Sequence, residues 1–241
     1  MEQALNKWFV ILNPTSGNNA SKRLWPEIKR LLAYYEFDFD YAFTEYERHS
    51  TELTYKALEL SYKKIICVGG DGTLHNIVNG IMTQNYFPTP DIHVGVIPIG
   101  TGNDWVRTFK ISRHIESAIK TIKRGRVLTQ DIGVIDFITG TSPSVYFTNL
   151  AGAGFDGFVV SKVTKMKYLG KIAYLLGALI SIFSFKNFNS KVTIDNEQVS
   201  GKTLMILIGL CRYSGGGMQL TNKPNPFDGK FDVSIAQNLN K

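Results

Sequence analysis

Three short glycine-rich segments each come directly after an apolar run, and this arrangement restricts the possible folds more than any other feature of the chain. The runs are KWFVIL at residues 7–12, KIICV at 64–68 and VGVI at 94–97. Runs of this length, rich in β-branched and aromatic residues, predict buried β-strands, and residues 37–43 predict one more. Apolar residues at helical spacing lie between them, so we expect strands and helices to alternate around a parallel sheet.

The pattern changes after residue 125. Five segments have the composition of strands, and only residues 155–188 have helical spacing. The predicted strands are 127–137, 144–150, 190–194, 203–210 and 231–235. We therefore predict two domains, an α/β domain at residues 1–125 and a β-rich domain at residues 126–241.

The glycine-rich segments, Asn13–Gly17, Gly69–Thr73 and Gly100–Asp104, have the composition of a phosphate site. Ligands of open parallel sheets bind beyond the carboxyl ends of the strands, where these segments are expected. Glycine lets the backbone approach a phosphate group, and the N–H groups of the following helix point at it. No Walker A loop is present, which argues against a P-loop NTPase, and no Rossmann GxGxxG motif is present in a suitable context.

The three segments also agree with a known family in residue type, order and spacing. They read Asn13-Pro14-Thr15-Ser16-Gly17, then Gly69-Gly70-Asp71-Gly72-Thr73 with Asn79-Gly80, then Pro98-Ile99-Gly100-Thr101-Gly102-Asn103-Asp104. In this the chain resembles the diacylglycerol kinase catalytic domain family, and most of all its soluble bacterial lipid kinases, which are related to sphingosine kinases and distantly to NAD kinases. Further matches extend the resemblance over nearly the whole chain: Gln130–Gly133, Asn149–Asp156, Tyr213–Gly217 and Phe227–Asp232.

The resemblance implies a fold and a nucleotide site. The fold is a three-layer, Rossmann-like α/β N-terminal domain that binds the nucleotide, followed by a mostly-β sandwich domain that binds the lipid substrate, with ATP in the cleft between the two. The implied nucleotide contacts are Asn13, Pro14, Thr15, Ser16, Gly17, Thr44, Gly69, Gly70, Asp71, Gly72, Thr73, Leu74, His75, Asn76, Thr101, Gly102 and Asn103. The family usually has Glu where this chain has Asn76, which can form hydrogen bonds but supplies no charge.

The resemblance also implies roles for three carboxylates. Asp71 would be the central acidic residue, orienting phosphate groups bound to Mg²⁺, and Asp104 and Asp131 would support it as catalytic residues. Each of the two supporting residues has a structural alternative. Asp104 could instead cap a helix, because Asp is a favourable N-cap residue. Asp131 could be a surface carboxylate at the end of a strand.

A structural magnesium site is implied in the second domain. Its residues would be Asp228, Asn225 and the carbonyl group of Lys230. Carboxylate and carbonyl oxygens are the ligands that Mg²⁺ prefers. The alternative is a simple turn between two strands, because Asp-Gly is a common turn pair.

Positive charge is concentrated late in the chain, whose net charge is +7. Residues 161–191 include no acidic residue and six lysines, which are Lys162, Lys165, Lys167, Lys171, Lys186 and Lys191. The apolar run at 172–185 is too short to span a bilayer as a helix, which takes about 20 residues. It could be a core helix with solvated lysines, but we predict peripheral membrane contact through residues 161–191. We expect no nucleic acid partner, because exposed aromatic residues and arginines do not alternate with these lysines.

The expected function is ATP-dependent phosphorylation of a lipid hydroxyl, with diacylglycerol as substrate and phosphatidic acid as product. Alternatives are a kinase of another lipid such as a sphingoid base, an NAD kinase-like small-molecule kinase, and a catalytically inactive nucleotide- or lipid-binding protein. Family members usually continue beyond the Asp-Gly-Lys-Phe-Asp segment with a tail that bears the general base. We therefore expect a fragment with little turnover by itself.

The cellular setting follows from cysteine usage and the N-terminus. Cys67 and Cys211 lie far apart in the sequence, which excludes a disulfide framework and is typical of a reducing compartment. The first residues lack a secretory signal pattern. We predict a cytoplasmic, peripherally membrane-associated protein, with a homodimer as a possible assembly.

Overall fold

The computed structural model describes residues 6–155, 157 and 185–238, and its first half is a parallel sheet with helices on both sides. The strands are β1 (Trp8–Leu12), β2 (Phe39–Phe43), β3 (Lys64–Gly69) and β4 (His93–Pro98), in the order β2-β1-β3-β4. The helices are α1 (Ser16–Tyr34), α2 (His49–Glu59), α3 (Asp71–Thr83), α4 (Asp104–Thr108) and α5 (Ile115–Lys123), with a 3₁₀ turn at Thr89–Asp91.

Both faces of this sheet are buried, which explains why its strands are continuous apolar runs. Successive residues of a strand point to opposite faces. Val10 and Leu12 therefore pack with α1 and α5 on one face, and Ile11 packs with α2 and α3 on the other. The result is a helix–sheet–helix arrangement of three layers.

The second half is built from antiparallel pairs. Its strands are β5 (Gly133–Ile135), β6 (Val145–Phe147), β7 (Leu150–Gly154), β8 (Phe188–Ile194), β9 (Glu197–Gly209), β10 (Tyr213–Ser214), β11 (Met218–Gln219) and β12 (Asp232–Gln237). The long strand β9 is central: β8 pairs with its first half, and β7 and β12 lie on either side of its second half. β5 pairs with β6, and β10 pairs with β11.

The predicted change from a parallel α/β half to an antiparallel half is confirmed. The predicted strand at 127–137 is too long, because only Gly133–Ile135 is paired and both Val127 and Leu128 are more than half exposed. An apolar run becomes a strand only where a neighbouring strand completes its hydrogen bonds. The domain boundary near residue 125 stays a prediction, and most of the predicted helix at 155–188 lies outside the described residues. Among the described residues, no helix has the length and apolar character needed to cross a membrane.

Candidate active site

The loops after β1, β3 and β4 meet at one edge of the sheet, because these strands run in the same direction. Asn13, after β1, donates a hydrogen bond from Nδ2 to Oγ1 of Thr73 in the first turn of α3, at 3.2 Å. Gly17 has a left-handed φ of 61°, and a Cβ there would lie 3.2 Å from Cγ2 of Ile99, after β4. The loop after β1 therefore contacts both of the others.

The conformation of that first loop is fixed by Asn13. Its Oδ1 accepts hydrogen bonds from the N–H group of Thr15 at 3.1 Å and from the Thr15 hydroxyl at 2.9 Å. Its carbonyl oxygen accepts a third from the N–H group of Ser16, at 3.2 Å. Asn13 thus closes the turn through Pro14 and orders the loop without a ligand.

The glycines at this edge serve two purposes. A Cβ on Gly100 would lie 2.7 Å from the Cα of Gly70, and a Cβ on Gly69 would lie 2.5 Å from Oγ1 of Thr73. These glycines are therefore needed for the loops to pack against each other. Gly72 differs, because, apart from its chain neighbours and the backbone of its own helix, no atom of the described residues lies within 4 Å of the position that its Cβ would take. The backbone at the start of α3 is open at this residue.

Asp71 caps a helix of the neighbouring loop. Its Oδ2 accepts a hydrogen bond from the N–H group of Asp104, and its Oδ1 accepts one from the N–H group of Trp105, both at 3.1 Å. These are the first two residues of α4, which has no side-chain cap of its own. The carboxylate therefore holds the loops after β3 and β4 together and is half-buried there.

The carboxylate of Asp104 turns toward the second half of the chain. It is 5% exposed, and its Oδ2 accepts a hydrogen bond from the N–H group of Gly216 at 2.8 Å. Its Oδ1 lies 3.6 Å from Nε of Arg107. Gly102 lies between the carboxylates of Asp71 and Asp104, since a Cβ there would be 3.1 Å and 3.3 Å from their Oδ2 atoms. The structure brings these two acids together, and their catalytic role stays a prediction.

Asp131 contacts the turn proposed for the structural magnesium, and its role in supporting Asp71 stays a prediction. Its Oδ2 accepts a hydrogen bond from the N–H group of Gly229 at 2.7 Å. Within that turn, Asp228 accepts from the N–H group of Lys230 at 3.1 Å, and Asn225 accepts from that of Phe227 at 3.3 Å. The oxygens of Asn225, Asp228 and Asp131 thus already stabilise a turn, and the second magnesium site stays a prediction.

The remaining predicted nucleotide contacts differ in exposure. Thr101 is exposed and Thr44, after β2, is buried, whereas Leu74 is 3% exposed and packs in the core beneath α3. Asn103 is 2% exposed with a left-handed φ of 52°, and its Nδ2 donates to the carbonyl oxygen of Gly100 at 2.9 Å. The main-chain oxygen of Asn76 accepts a hydrogen bond from the Thr51 hydroxyl at 2.9 Å.

His75 lies in the second turn of α3 and carries no charge at neutral pH. Burial, and secondly the positive charge of Arg48, hold the pKa of this imidazole below its ordinary value of 6.5. A neutral imidazole offers a hydrogen bond to a phosphate group but no electrostatic attraction. Any contact of His75 with a nucleotide is therefore a weak one.

Two carboxamide side chains to which the sequence analysis assigned no role connect the two halves. Asn79 of α3 forms hydrogen bonds with the main chain of Tyr146, and Gln130 links Trp105 to Thr148. The Asn79-Gly80 pair was part of the family motif, which was a signal that the residue matters. Its partner is 67 residues away, so nothing in the local sequence indicates what it binds.

Comparison with known proteins agrees with this architecture. The profile of the diacylglycerol kinase catalytic domain matches residues 7–135, and that of the YegS C-terminal NAD kinase beta sandwich-like domain matches residues 149–241. The chain is 31% identical to a diacylglycerol kinase of Staphylococcus carnosus, over 96% of this chain and 72% of that protein. It is also 31% identical to a diacylglycerol kinase of Bacillus subtilis, over 96% of this chain and 74% of that protein.

A solved structure shows the same fold. The crystal structure of a diacylglycerol kinase from Bacillus anthracis has a TM-score of 0.75 to this chain, covering 96% of this chain and 74% of that one at 24% identity. The first profile covers more than half of the chain, and the relatives match nearly all of it. By its sequence and its fold, the chain belongs to the diacylglycerol kinase catalytic domain family.

Proposed function

We propose that this chain transfers the γ-phosphoryl group of ATP to the hydroxyl group of a lipid, with diacylglycerol as the acceptor and phosphatidic acid as the product. The observation that carries the proposal is the open backbone at Gly72, next to the Asp71 carboxylate and the start of α3. Membership of the family supports the choice of ATP, and the names of the relatives support the choice of acceptor.

The chemistry suits this edge of the sheet. Phosphoryl transfer depends on positioning and on neutralisation of charge more than on covalent catalysis. The first N–H groups of a helix lack partners within the helix, and the helix dipole favours negative charge there. At α3 these groups face a position that glycine leaves free, so phosphate groups could approach the backbone of Gly72 closely.

The residues at this edge fit a magnesium ion that binds together with the nucleotide. Mg²⁺ usually takes one or two protein carboxylates and completes its shell with phosphate oxygens and water. A carboxylate has about four acceptor sites, and Asp71 uses two of them within the chain. The described residues contain no group of three or more His, Cys, Asp and Glu side chains suited to a metal, so the phosphates would have to complete the shell. Asp71 would hold the ion, which would neutralise phosphate charge.

Transfer of radiolabel from ATP in the presence of Mg²⁺ tests the proposal. Diacylglycerol and sphingosine would be offered in mixed micelles, and NAD in solution. We expect label in diacylglycerol, and we expect Gly72→Val to slow the transfer at limiting ATP without unfolding the chain. Faster labelling of sphingosine or NAD would show that this molecule, and not diacylglycerol, is the acceptor. ATP binding without transfer to any acceptor would indicate a nucleotide-binding protein instead of a kinase.

A further inference from the structure

The side chain of Asn79 pairs with the main chain of Tyr146 as a neighbouring strand would. Its Nδ2 donates to the Tyr146 carbonyl oxygen at 2.8 Å, and its Oδ1 accepts from the Tyr146 N–H group at 2.9 Å. Tyr146 is the middle residue of β6, whose other edge pairs with β5. The carboxamide therefore satisfies backbone groups that β5 does not reach.

The orientation of this carboxamide is fixed within α3. Nδ2 of Asn79 also donates to the carbonyl oxygen of His75, one helical turn earlier, at 2.8 Å. The next residue, Gly80, holds another face of the helix: a Cβ there would lie 2.8 Å from Cβ of Thr54 and 3.0 Å from the carbonyl oxygen of Thr51, both in α2. Helix α3 thus packs closely against α2 at Gly80 and binds β6 through Asn79.

A second carboxamide forms a parallel connection. Nε1 of Trp105 donates to Oε1 of Gln130 at 2.8 Å, and Nε2 of Gln130 donates to the carbonyl oxygen of Thr148 at 2.6 Å. The N–H group of Trp105 binds the Asp71 carboxylate. The stretch from Tyr146 to Thr148 is therefore joined at two points to the helices that begin at, or are capped by, Asp71.

We infer that Asn79 is a positioning residue, which transmits occupation of the phosphate site at the start of α3 to β6 and hence to the antiparallel half. This rests on the proposed function, since it requires ATP to bind there. Asn79 lies eight residues after Asp71, about 12 Å along the helix, so it does not touch a phosphate group bound at that end. A helix moves as a rigid unit, and its two bonds to Tyr146 make β6 follow it.

The test compares two variants that each lose a carboxamide bonded to the main chain. Asn79→Leu removes the bonds to Tyr146 while it keeps the number and branching of the side-chain heavy atoms. Gln84→Leu is the matched control, because Gln84 accepts from the N–H groups of Tyr86 and Phe87 and donates to the Phe87 carbonyl oxygen, all within the first half. Asn79→Gln keeps the carboxamide on a longer side chain and serves as the conservative variant.

Hydrogen–deuterium exchange of the segment 145–148 would be measured with and without ATP and Mg²⁺, in the absence of acceptor. In the unmodified chain and in Gln84→Leu, we expect ATP to slow exchange both at the start of α3 and in this segment. In Asn79→Leu, protection should persist at the start of α3 and be smaller at 145–148, where the connection through Gln130 remains, and Asn79→Gln should restore part of the loss. With diacylglycerol, kcat/KM for the acceptor should fall about 2- to 30-fold in Asn79→Leu alone.

Two results would overturn the inference: equal ATP-induced protection of 145–148 in Asn79→Leu and the unmodified chain, or the same loss in Gln84→Leu. If ATP slowed exchange at the start of α3 but never at residues 145–148, the result would also contradict the inference, whatever the kinase activity. Protection that depends on Asn79 in a chain that phosphorylates no acceptor would contradict the proposed function and support the coupling.

Discussion

At the scale of single residues, neighbouring glycines of one motif are required for different physical reasons. Gly70 faces the backbone of Gly100, where a Cβ would come within 3.2 Å of the opposite Cα. Gly72 faces open space, and its φ is one that any residue adopts. Only the second kind of glycine reports directly on a ligand that approaches the backbone, so it is the better residue to substitute.

Gly72→Val should therefore weaken binding of ATP without harming the fold. The branched side chain would occupy the space through which a phosphate group must approach, and we expect at least about a tenfold rise in Kd, equivalent to about 1.4 kcal/mol. Thermal unfolding should change little, because helices tolerate Val at least as well as Gly. Titration calorimetry and a melting curve on the same sample measure both effects.

The comparison variant is Gly70→Val, which should lose stability by about 1–3 kcal/mol through overpacking against Gly100. Gly72→Ala should leave the melting temperature unchanged or slightly higher. Wild-type affinity for ATP in Gly72→Val would show that the phosphates bind elsewhere.

His75 predicts a pH dependence of stability. Its pKa in the folded chain lies below the ordinary 6.5, first because of burial and then because of Arg48. Between the two pKa values the unfolded chain binds more protons, so stability rises with pH there and is lost on acidification below 6.5. Melting temperatures measured from pH 7 down to pH 5 should fall less steeply in His75→Gln than in the unmodified chain. Equal slopes in His75→Gln and the unmodified chain would contradict the prediction.

At the scale of secondary structure elements, the short helix α4 depends on a residue from another loop. Its N-cap position, Asn103, has a left-handed conformation and makes no capping hydrogen bond to the helix. Asp71 supplies both acceptors instead, from the start of α3. The central carboxylate of the motif thus has a structural role in addition to the proposed role at the phosphates.

These two roles of Asp71 can be separated by substitution. Asp71→Ala removes the cap and should lower the free energy of unfolding by about 0.5–2 kcal/mol. Asp71→Asn keeps one acceptor oxygen and should lose less stability, yet its loss of charge should reduce kcat at least about 100-fold. Denaturant unfolding and steady-state kinetics with diacylglycerol measure the two effects.

The control is Asp91→Asn, which removes a carboxylate paired with Lys63 at 3.1 Å on the surface of the same half. Such exposed pairs contribute about 0–1 kcal/mol, so both stability and turnover should hardly change. If Asp71→Asn kept full turnover, Asp71 would be a capping residue only.

At the scale of the whole molecule, hydrogen bonds from side chains of the first half to the main chain of the second hold the two halves together. Asp104 accepts a hydrogen bond from the N–H group of Gly216, and Asn79 forms two with the main chain of Tyr146. Asp104, a predicted catalytic residue, thereby also contacts the antiparallel half. We propose that this half carries the contact with the membrane where the lipid acceptor resides.

Membrane contact through residues 161–191 predicts a specific salt dependence. Each lysine near an anionic surface contributes about 1 kcal/mol, and the attraction fades within a Debye length. Co-sedimentation with vesicles should increase with the fraction of anionic lipid and decrease with salt. Replacing Lys162, Lys165 and Lys167 by Gln should weaken binding up to about 100-fold at low salt.

The control removes three positive charges elsewhere, from the exposed Lys22, Lys56 and Lys202. Its binding should fall much less, since the total charge changes equally but the proposed contact surface is intact. Equal losses in the two triple variants would indicate a nonspecific effect of net charge.

Local sequence patterns are enough to predict the elements of the first half and the edge at which a ligand could bind. Apolar runs such as residues 64–68 predict strands buried on both faces, and parallel strands must end at the same edge, so the meeting of the three glycine-rich loops follows from local pattern alone. The short strand Gly133–Ile135 shows where local pattern fails, because its length is set by pairing with β6 and not by its own composition.

The contacts of the individual site residues depend on the folded arrangement and cannot be predicted from local patterns. The Cα of Gly70 lies against Gly100, the carboxylate of Asp71 caps α4, and Asn79 binds a strand 67 residues away. The carboxylate of Asp131 binds the N–H group of Gly229, 98 residues along the chain, and its supporting role beside Asp71 stays a prediction. Such contacts depend on how completed elements pack, whereas periodicity reports only which face of an element is buried.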